Sequence, residues 1–355
     1  MKAGFTGLGR MGLALASHVA RKGVDLTVYG NVIRVFLKYG LLAFGVTFWT
    51  AAAQAQSDFP NHPIRAIVPF AAGSGTDTVA RVVAKHMQDT LGQAVIVENR
   101  VGADGLIGAE VAAHAAHDGY TVFITSASLH SLNPSLFQKL PYDTERDFLP
   151  VGGIMEAYYA LLVNNSLPVS NLGELANWLK AHPDSASYGW GATVGQIAGA
   201  SMLKRLNIQA TGVPYKSSPQ AVADLMSGQI TFMFNDVTTS KAHLMAKRIK
   251  SLGVTSAERI VGVHELPTLV ESGLPDFVLA TWVGMLAPAG TPAPIVDKLA
   301  AALDKAVRDP EVAKKMDTCC SARMLIKTPA EFGAYMRKDR AEWATRIAEV
   351  GIQPK

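Results

Sequence analysis

The chain has 355 residues, 49% of them hydrophobic, and its 33 Lys and Arg residues outnumber its 29 Asp and Glu residues by four. Six of the basic residues and one of the acidic residues precede Gln56, so the remaining 300 residues carry a net charge of −1. This charge balance excludes a broad basic surface for nucleic acid or an anionic membrane. The hydrophobic content excludes a disordered chain, and 300 residues are enough for two globular domains.

The chain begins with a G-x-G-x-x-G pattern, GLGRMG at Gly7–Gly12. The flanking residues predict a short strand before it and a helix and a second strand (residues 24–30) after it, an arrangement that places a pyrophosphate at a helix N-terminus. The segment resembles the start of 3-hydroxyisobutyrate dehydrogenases, which implies an NAD(P)-dependent hydroxyacid dehydrogenase as one function. However, Tyr29 ends the second strand where an acidic residue is required, and no further units of a dinucleotide-binding fold follow. We interpret residues 1–30 as a dehydrogenase-like remnant without a function of its own.

Residues 31–55 contain the three regions of a secretory signal peptide in the expected order. Arg34 and Lys38 form the basic region, and residues 39–50 form an uncharged apolar run too short to span a bilayer. Ala53-Gln54-Ala55 predicts cleavage before Gln56 and export to the periplasm, whereas the alternative interpretation is a buried core helix. Because this signal starts thirty residues into the chain, either Val32 is an alternative start or a gene junction placed the dehydrogenase-like segment upstream.

After Gln56, apolar runs typical of strands alternate with helical patterns. The predicted strands include residues 62–70, 94–99, 120–125, 158–165, 186–191, 230–236 and 249–256. The predicted helices include residues 78–92, 109–119, 171–183, 196–208, 294–309 and 328–351. This alternation predicts a mostly parallel sheet with helices on both faces and two α/β domains. Ligands in such folds bind beyond the carboxyl ends of the strands.

Several segments resemble the Bug family of extracytoplasmic solute receptors over nearly all of residues 60–352. They include IRAIVPFAAGSGTDTVARVVA, VIVENRVGADGLIGAE, NPSLFQKLPYDTERDFLPV, VPYKSSPQAVADLMSGQITFMFND and GMLAPAGTPAPIVDKL. The resemblance implies an α/β, two-domain type II periplasmic binding protein fold with a ligand cleft between the lobes. Domain one would comprise residues 57–157 plus 283–355, and domain two residues 158–282. The implied function is to capture a small carboxylate by domain closure and deliver it to the membrane subunits of a tripartite tricarboxylate transporter.

Domain one supplies a glycine-rich loop that opens a helix, a combination that favours an anion through backbone N–H groups and the helix dipole. The predicted ligand contacts in this domain are Ser74, Gly75, Thr76, Asp77, Ser126, Ser128 and His130. Asp77 would repel a carboxylate, so it could instead cap the helix, hold a bridging water or accept an ammonium group. The alternatives are a plain N-cap for residues 74–77 and an ordinary loop histidine for His130.

Domain two supplies polar residues in loops and at a strand end. The predicted contacts are Trp190, Thr193, Tyr215, Lys216, Asn235 and Asp236. Tyr215, Lys216 and Ser217 stand in the place of the family's YKGS-like turn, and Asn235-Asp236 in that of its FDN-like motif. Trp190 departs from the family pattern and is expected either to stack on an aromatic or lengthened ligand or to pack in the core. Lys216 could equally be a solvated surface charge, and residues 235–236 a strand-end turn or a latch between domains.

The remaining residues show no catalytic or metal-binding pattern. G-x-S-x-G and H-E-x-x-H are absent from the sequence, and the histidines are scattered without metal-ligand spacing. Adjacent cysteines rarely pair, so we expect Cys319 and Cys320 to be two free thiols. We therefore predict a monomeric receptor that is not an enzyme and needs no cofactor or metal, and whose carboxylate the sequence does not identify. A sensor that reports the solute to a signalling partner is the second alternative.

Overall fold

The computed structural model describes residues 59–260 and 262–354. The dehydrogenase-like segment and the signal peptide predicted at residues 1–30 and 31–55 lie outside the described residues. The rest of the chain, Pro60–Lys355, forms one compact unit. None of the helices within the described ranges combines the length and the apolar character that a membrane span needs.

Ten strands are found among the described residues. They are β1 (Ile64–Val68), β2 (Val95–Asn99), β3 (Thr121–Ser126), β4 (Phe148–Asn164), β5 (Ser187–Trp190), β6 (Thr211–Pro214), β7 (Phe232–Asp236), β8 (Ile249–Val254), β9 (Ala280–Pro288) and β10 (Arg323–Met324).

The α-helices occupy the segments between these strands and the C-terminal part of the chain. They are α1 (Gly75–Leu91), α2 (Leu106–Ala113), α3 (Asn133–Leu136), α4 (Leu172–Ala181), α5 (Thr193–Leu206), α6 (Ser218–Met226), α7 (Val237–Met245), α8 (Ala293–Arg308), α9 (Pro310–Cys320) and α10 (Pro329–Val350). A 3₁₀ turn at Ala103–Gly105 and a π turn at Ser128–Leu132 precede α2 and α3.

The sheet is mixed, and the expectation of a mostly parallel sheet is wrong. Its strand order is β2-β1-β3-β9-β4-β7-β5-β6, with β8 and β10 also paired to β4. The β1–β2, β1–β3, β5–β6 and β5–β7 pairs are parallel, whereas β4 and β9 make only antiparallel pairs. The physical reason is that β4 and β9 are long strands that run in opposite directions through the middle of the sheet instead of belonging to a strand–helix–strand unit.

The 17-residue strand β4 joins two groups of strands. Its first part, Phe148 to Tyr158, pairs with β9, whereas its last part, Tyr159 to Asn164, pairs with β7 and β8. The change of partner falls beside the predicted boundary between residues 157 and 158. The assignment of residues 57–157 plus 283–355 and of 158–282 to separate domains stays a prediction.

Helix α1 illustrates how local sequence defines the elements that approach the site. Val79, Val83 and Met87 recur at helical spacing, and all three are buried. Burial of each such side chain contributes about 1.5–3 kcal/mol. Ser74 caps the N-terminus by accepting a hydrogen bond from the Asp77 N–H, and Gly92 ends the helix with a φ of 69°.

Cys319 and Cys320 form a disulfide with each other, so the expectation of two free thiols is wrong. Their Cα atoms lie 3.7 Å apart at the last two positions of α9. The backbone leaves the helix here, and Ser321 has a φ of 48°. The pair is thus not held to regular helical geometry on both sides. The carbonyl of Cys320 accepts a hydrogen bond from Thr238 Oγ1 of α7, at 3.2 Å.

Candidate functional site

A cleft lies at the carboxyl ends of β1, β3 and β7 and over the middle of β4 and the start of β9, with a volume of about 500 Å³ that includes space open to solvent. The cleft is lined by Phe70, Ala71, Ser74, Gly75, Thr76, Ser126, Ser128, Met155, Ala157, Tyr159, Ala192, Ser217, Ser218, Asp236, Thr281 and Val283.

The floor of the cleft is one face of the paired strands β4 and β9. Met155, Ala157 and Tyr159 alternate along β4, so their side chains point to the same face. Their pairing partners also line the cleft: Val283 lies opposite Met155, Thr281 opposite Ala157, and Asp236 of β7 opposite Tyr159. The register of these strands therefore places the polar residues Thr281 and Asp236 beside the apolar floor.

The N-termini of α1, α5 and α6 meet at this floor, beside that of α7, whose N-cap is Asp236. Ser74 is the N-cap of α1, Ala192 of α5 and Ser217 of α6, and all three residues line the cleft. Neither Ala192 nor Ser217 makes a side-chain capping bond, so the first N–H groups of α5 and α6 have no cap from these residues. Helix N-termini carry partial positive charge and present N–H donors, which is favourable for an anion.

The loops that carry these N-termini pack closely. The Tyr215 N–H donates to the Trp190 carbonyl at 2.9 Å. A Cβ atom on Gly191 would overlap the backbone of Ser217 and Ser218, so only glycine allows the α5 and α6 loops to approach this closely. The two N-termini are thus held side by side.

Asp77 holds the glycine-rich loop and does not line the cleft. Its carboxylate accepts hydrogen bonds from the Gly73 N–H at 2.9 Å, from Asn99 Nδ2 at 2.8 Å and from both Arg81 Nε and Nη2. Asn99 also donates to the Phe70 carbonyl at 2.8 Å. Burial by itself raises the pKa of Asp77, but the Arg81, Asn99 and Gly73 donors outweigh it and hold the pKa below its usual value. Asp77 therefore orients the loop from beneath.

Asp236 lies at the opposite wall, where it caps α7. The Thr239 N–H donates to Oδ1 at 2.7 Å, and the Thr239 hydroxyl donates to Oδ2 at 2.9 Å. Burial raises the pKa of Asp236, and the bonds from Thr239 offset part of this effect. No Lys or Arg is among the residues that line the cleft. The walls thus offer hydroxyls, N–H groups and one carboxylate.

Six of the predicted contacts line the cleft together: Ser74, Gly75, Thr76, Ser126, Ser128 and Asp236. Asp77, His130, Trp190, Thr193, Tyr215, Lys216 and Asn235 are not among its lining residues. Thr193 is the buried first residue of α5 and directly follows the cleft-lining Ala192.

The structure places His130 in an aromatic cluster instead of on the cleft wall. Its ring lies 5.1 Å from the ring of Phe148 and 6.1 Å from that of Trp282, measured between centroids, and the residue is 3% exposed. Neither ring nitrogen has a hydrogen-bond partner among the described residues. Burial, with a smaller contribution from the Arg340 cation, lowers the pKa of His130 to about 3, so the ring is neutral near pH 7.

The other residues outside the lining have defined surroundings. The ring of Trp190 packs against that of Tyr188, with centroids 5.2 Å apart. Asn235 is buried and donates to the Ser240 hydroxyl at 2.9 Å, whereas Lys216 is exposed. A hydrogen bond links Tyr215 to Asp224; this interaction and burial, the larger cause, raise the pKa of Tyr215 to about 12.

Sequence reasoning missed Ser218, Thr281 and the apolar floor. Ser218 is followed by Pro219 at the start of α6, a local helix-start signal that identifies Ser217 and Ser218. Thr281 is buried, and its Oγ1 has no hydrogen-bond partner among the described residues. No local signal distinguishes it, because its position depends on the pairing of β9 with β4.

Residues 79–322 match the family described as the tripartite tricarboxylate transporter family receptor. The chain is 31% identical to BugT of Bordetella pertussis over 331 residues, which cover 92% of this chain and all of BugT. Among solved structures, it resembles the periplasmic binding protein BugD (TM-score 0.79, 32% identity) over 84% of this chain and all of BugD.

Two further structures contain carboxylates. A Rhodopseudomonas palustris protein solved with adipate has a TM-score of 0.80 and 30% identity, over 84% of this chain and all of that protein. MatC from the same organism, with bound malate, has a TM-score of 0.76 and 31% identity, over 81% of this chain and all of MatC. Together with the α/β fold and its cleft, these likenesses show that the chain belongs to the tripartite tricarboxylate transporter receptor family, the Bug-type periplasmic solute-binding proteins, which are receptors and not enzymes.

Proposed function

We propose that this protein captures a small carboxylate in the cleft by closing its two lobes and delivers it to the membrane subunits of a tripartite transporter. The observation that carries this proposal is the meeting of the N-termini of α1, α5 and α6 at one floor, in a cleft without Lys or Arg side chains. A carboxylate would accept hydrogen bonds from these N–H groups and from the serine and threonine hydroxyls around them.

The walls come from segments on both sides of the β4 partner change, which supports a closure mechanism. Ser74–Thr76 belong to the predicted domain one, and Ala192, Ser217, Ser218 and Asp236 to domain two. A ligand that bridges both walls would stabilise the closed arrangement, as in other hinge-type binding proteins. Adipate and malate in the two R. palustris structures make aliphatic di-acids the first class to test.

Thermal unfolding of the purified mature protein tests the proposal. The panel contains adipate, malate and citrate, aromatic acids, amino acids, and NADH and NADPH as controls. Binding to the folded state raises the unfolding temperature by mass action. We expect a rise with at least one carboxylate after the protein is unfolded, washed and refolded to remove any ligand acquired in the cell. No rise with any acid contradicts the proposal, and a rise with a nicotinamide cofactor would favour the dehydrogenase alternative.

Export and delivery need separate measurements. The intact mass of the periplasmic protein is expected to correspond to residues 56–355, and a species that retains Met1 would contradict cleavage before Gln56. A strain that lacks the receptor gene should lose uptake of the identified carboxylate, and so should a strain that lacks the transporter's membrane subunits. Uptake that persists without those subunits would favour the sensor alternative.

A further inference from the structure

Asp236 is the one acidic side chain among the residues that line the cleft, and no basic side chain accompanies it there. The described residues include no ion pair to Asp236. Its two oxygens accept one hydrogen bond each, both from Thr239. Because a carboxylate oxygen can accept about two hydrogen bonds, Asp236 retains acceptor capacity for a further donor.

The groups that face Asp236 from neighbouring elements do not neutralise it. Tyr159, its pairing partner on β4, stays protonated because burial and the Asp236 charge raise the pKa of Tyr159 well above its usual value. On α1, the Asp77 carboxylate is already bonded to Arg81. On α7, Lys241 Nζ donates to the Asp317 carbonyl at 2.8 Å. Asp236 thus faces the cleft without a cation beside it.

A second, independent observation also indicates a ligand at this place. Thr281 is 6% exposed, lines the cleft, and has an Oγ1 without a hydrogen-bond partner among the described residues. Buried hydroxyls are normally satisfied, so Thr281 is expected to bond to a group that enters the cleft. Thr281 and Asp236 lie opposite Ala157 and Tyr159, two positions apart on the same face of β4.

We propose that Asp236 is a specificity-determining residue, which pairs with a hydrogen-bond donor carried by the carboxylate ligand, an ammonium or a hydroxyl group. The inference rests on the proposed function, because it assumes that the ligand's carboxylate is held at the helix N-termini. A ligand whose polar groups are all carboxylates would place a second negative charge near Asp236, without compensation from a cation. A donor at that position would instead form a charge-assisted hydrogen bond.

Matched ligand series test this inference. Succinate, malate and aspartate share a four-carbon backbone and differ in one substituent, which is hydrogen, hydroxyl or ammonium. Glutarate, 2-hydroxyglutarate and glutamate repeat the comparison with one more carbon. Titration calorimetry would measure all six affinities for the wild-type protein and for Asp236→Asn. Asparagine is an effective N-cap, so this variant keeps the start of α7.

Asp309→Asn is the control variant. Asp309 caps α9 by accepting from the Glu311 N–H, and it is not among the cleft-lining residues. The control therefore removes the same charge from the same kind of position. Thermal unfolding of both variants checks that each one folds.

We expect the wild-type protein to bind the amino or hydroxy acid of one series about tenfold or more tightly than the unsubstituted di-acid. Asp236→Asn should reduce that ratio at least about tenfold, through weaker binding of the substituted acid, tighter binding of the di-acid, or both. Asp309→Asn should leave the ratio unchanged. The malate and aspartate affinities separate a hydroxyl from an ammonium donor.

Two results would overturn the inference in distinguishable ways. Binding of these acids with the same preference in the wild-type protein and in Asp236→Asn would remove the role of Asp236 and leave the proposed function standing. If none of the six acids nor any carboxylate of the thermal panel binds either protein, the proposed function fails and this inference with it.

Discussion

Gly75, the first residue of α1, lies directly against Asp236, the N-cap of α7: a Cβ atom built on Gly75 would lie 2.5 Å from Asp236 Oδ1 and 3.1 Å from Cγ. The two residues belong to the two opposite walls of the cleft. Gly75 does not have a positive φ, so backbone conformation does not require a glycine at this position. The close contact with Asp236 requires it instead. The distance between these walls is therefore set by a backbone–carboxylate contact that leaves no space for a methyl group.

Gly75→Ala should prevent the two walls from approaching fully. We expect ligand affinity to fall about tenfold or more, because overpacking costs about 1–3 kcal/mol, while the unfolding temperature without ligand changes little. Calorimetry with the carboxylate identified in the panel would measure this. Gly173→Ala in α4 is the control, because its Cβ atom would meet only Asn171 Oδ1 at 3.4 Å. Unchanged affinity in Gly75→Ala would contradict the importance of this contact.

Thr281→Val keeps the shape of the side chain and removes the unpartnered hydroxyl. We expect affinity to fall by about fivefold to tenfold, the value of one hydrogen bond, with unfolding temperature unchanged or raised. Thr125→Val is the matched control. Thr125 is a buried threonine on β3, also with no partner for its Oγ1 among the described residues, but it does not line the cleft. Equal effects of the two variants on affinity would argue against a ligand contact at Thr281.

Asp77→Asn should weaken the support of the glycine-rich loop. Loss of the charged acceptor for Arg81 and Gly73 is expected to cost about 1–3 kcal/mol of unfolding free energy and to lower ligand affinity. Denaturant unfolding would measure the loss, with exposed Asp89→Asn on the same helix as the control, expected within about 0.5 kcal/mol of wild type. A normal stability in Asp77→Asn would contradict the role assigned to its hydrogen bonds.

The Asp77 contribution also has a defined pH dependence. Because the pKa of Asp77 is lower in the folded protein than its ordinary value of 3.8, its contribution is present above that value and is lost as the pH falls below it. The stability difference between wild type and Asp77→Asn should therefore shrink on acidification. A difference that grows as the pH falls would contradict the direction of the pKa shift.

His130→Phe should leave ligand affinity within about twofold, because His130 packs among aromatic rings and not on the cleft wall. Removal of two ring nitrogens without hydrogen-bond partners should keep or raise the unfolding temperature. Ser128→Ala, at a cleft-lining position two residues earlier, should instead reduce affinity without a gain in stability. A large affinity loss in His130→Phe would restore His130 as a ligand contact.

His130 also makes stability depend on pH. The pKa of His130 is about 3 when folded and 6.5 as its ordinary value, so the unfolded chain binds a proton that the folded one excludes between these values. The free energy of unfolding of the wild-type protein should therefore fall by about 1.4 kcal/mol per pH unit, because of this residue, as the pH falls through that range. Denaturant titrations at several pH values would measure this, and the unfolding free energy of His130→Phe should lack this pH-dependent loss. If the wild-type protein and His130→Phe show the same dependence of stability on pH, the contribution assigned to His130 is contradicted.

The local chemistry of the site was predictable from the sequence, whereas the composition of its walls was only partly so. Ser74, Gly75 and Thr76 follow a strand and open an amphipathic helix, so they could be identified as anion-binding candidates. Ser126, Ser128 and Asp236 follow or end strands and were found by the same rule. His130 satisfied it too, but its ring packs against Phe148 and Trp282 from distant segments. Trp190 also satisfied it, but its ring packs against Tyr188 of the same strand and it is not among the cleft-lining residues.

What the sequence determined by itself is what depends on neighbours along the chain: the helix starts, the polar strand ends, the family resemblance and the balance of charge after Gln56. The tertiary structure decided which of these groups face one another. Thr281 joins the cleft through the pairing of β9 with β4, Asp77 is removed from it by Arg81 and Asn99, and Asp236 reaches Gly75. The reason is that strand register and close packing depend on residues far apart in sequence, whereas helix caps and turns depend on residues within one helical turn.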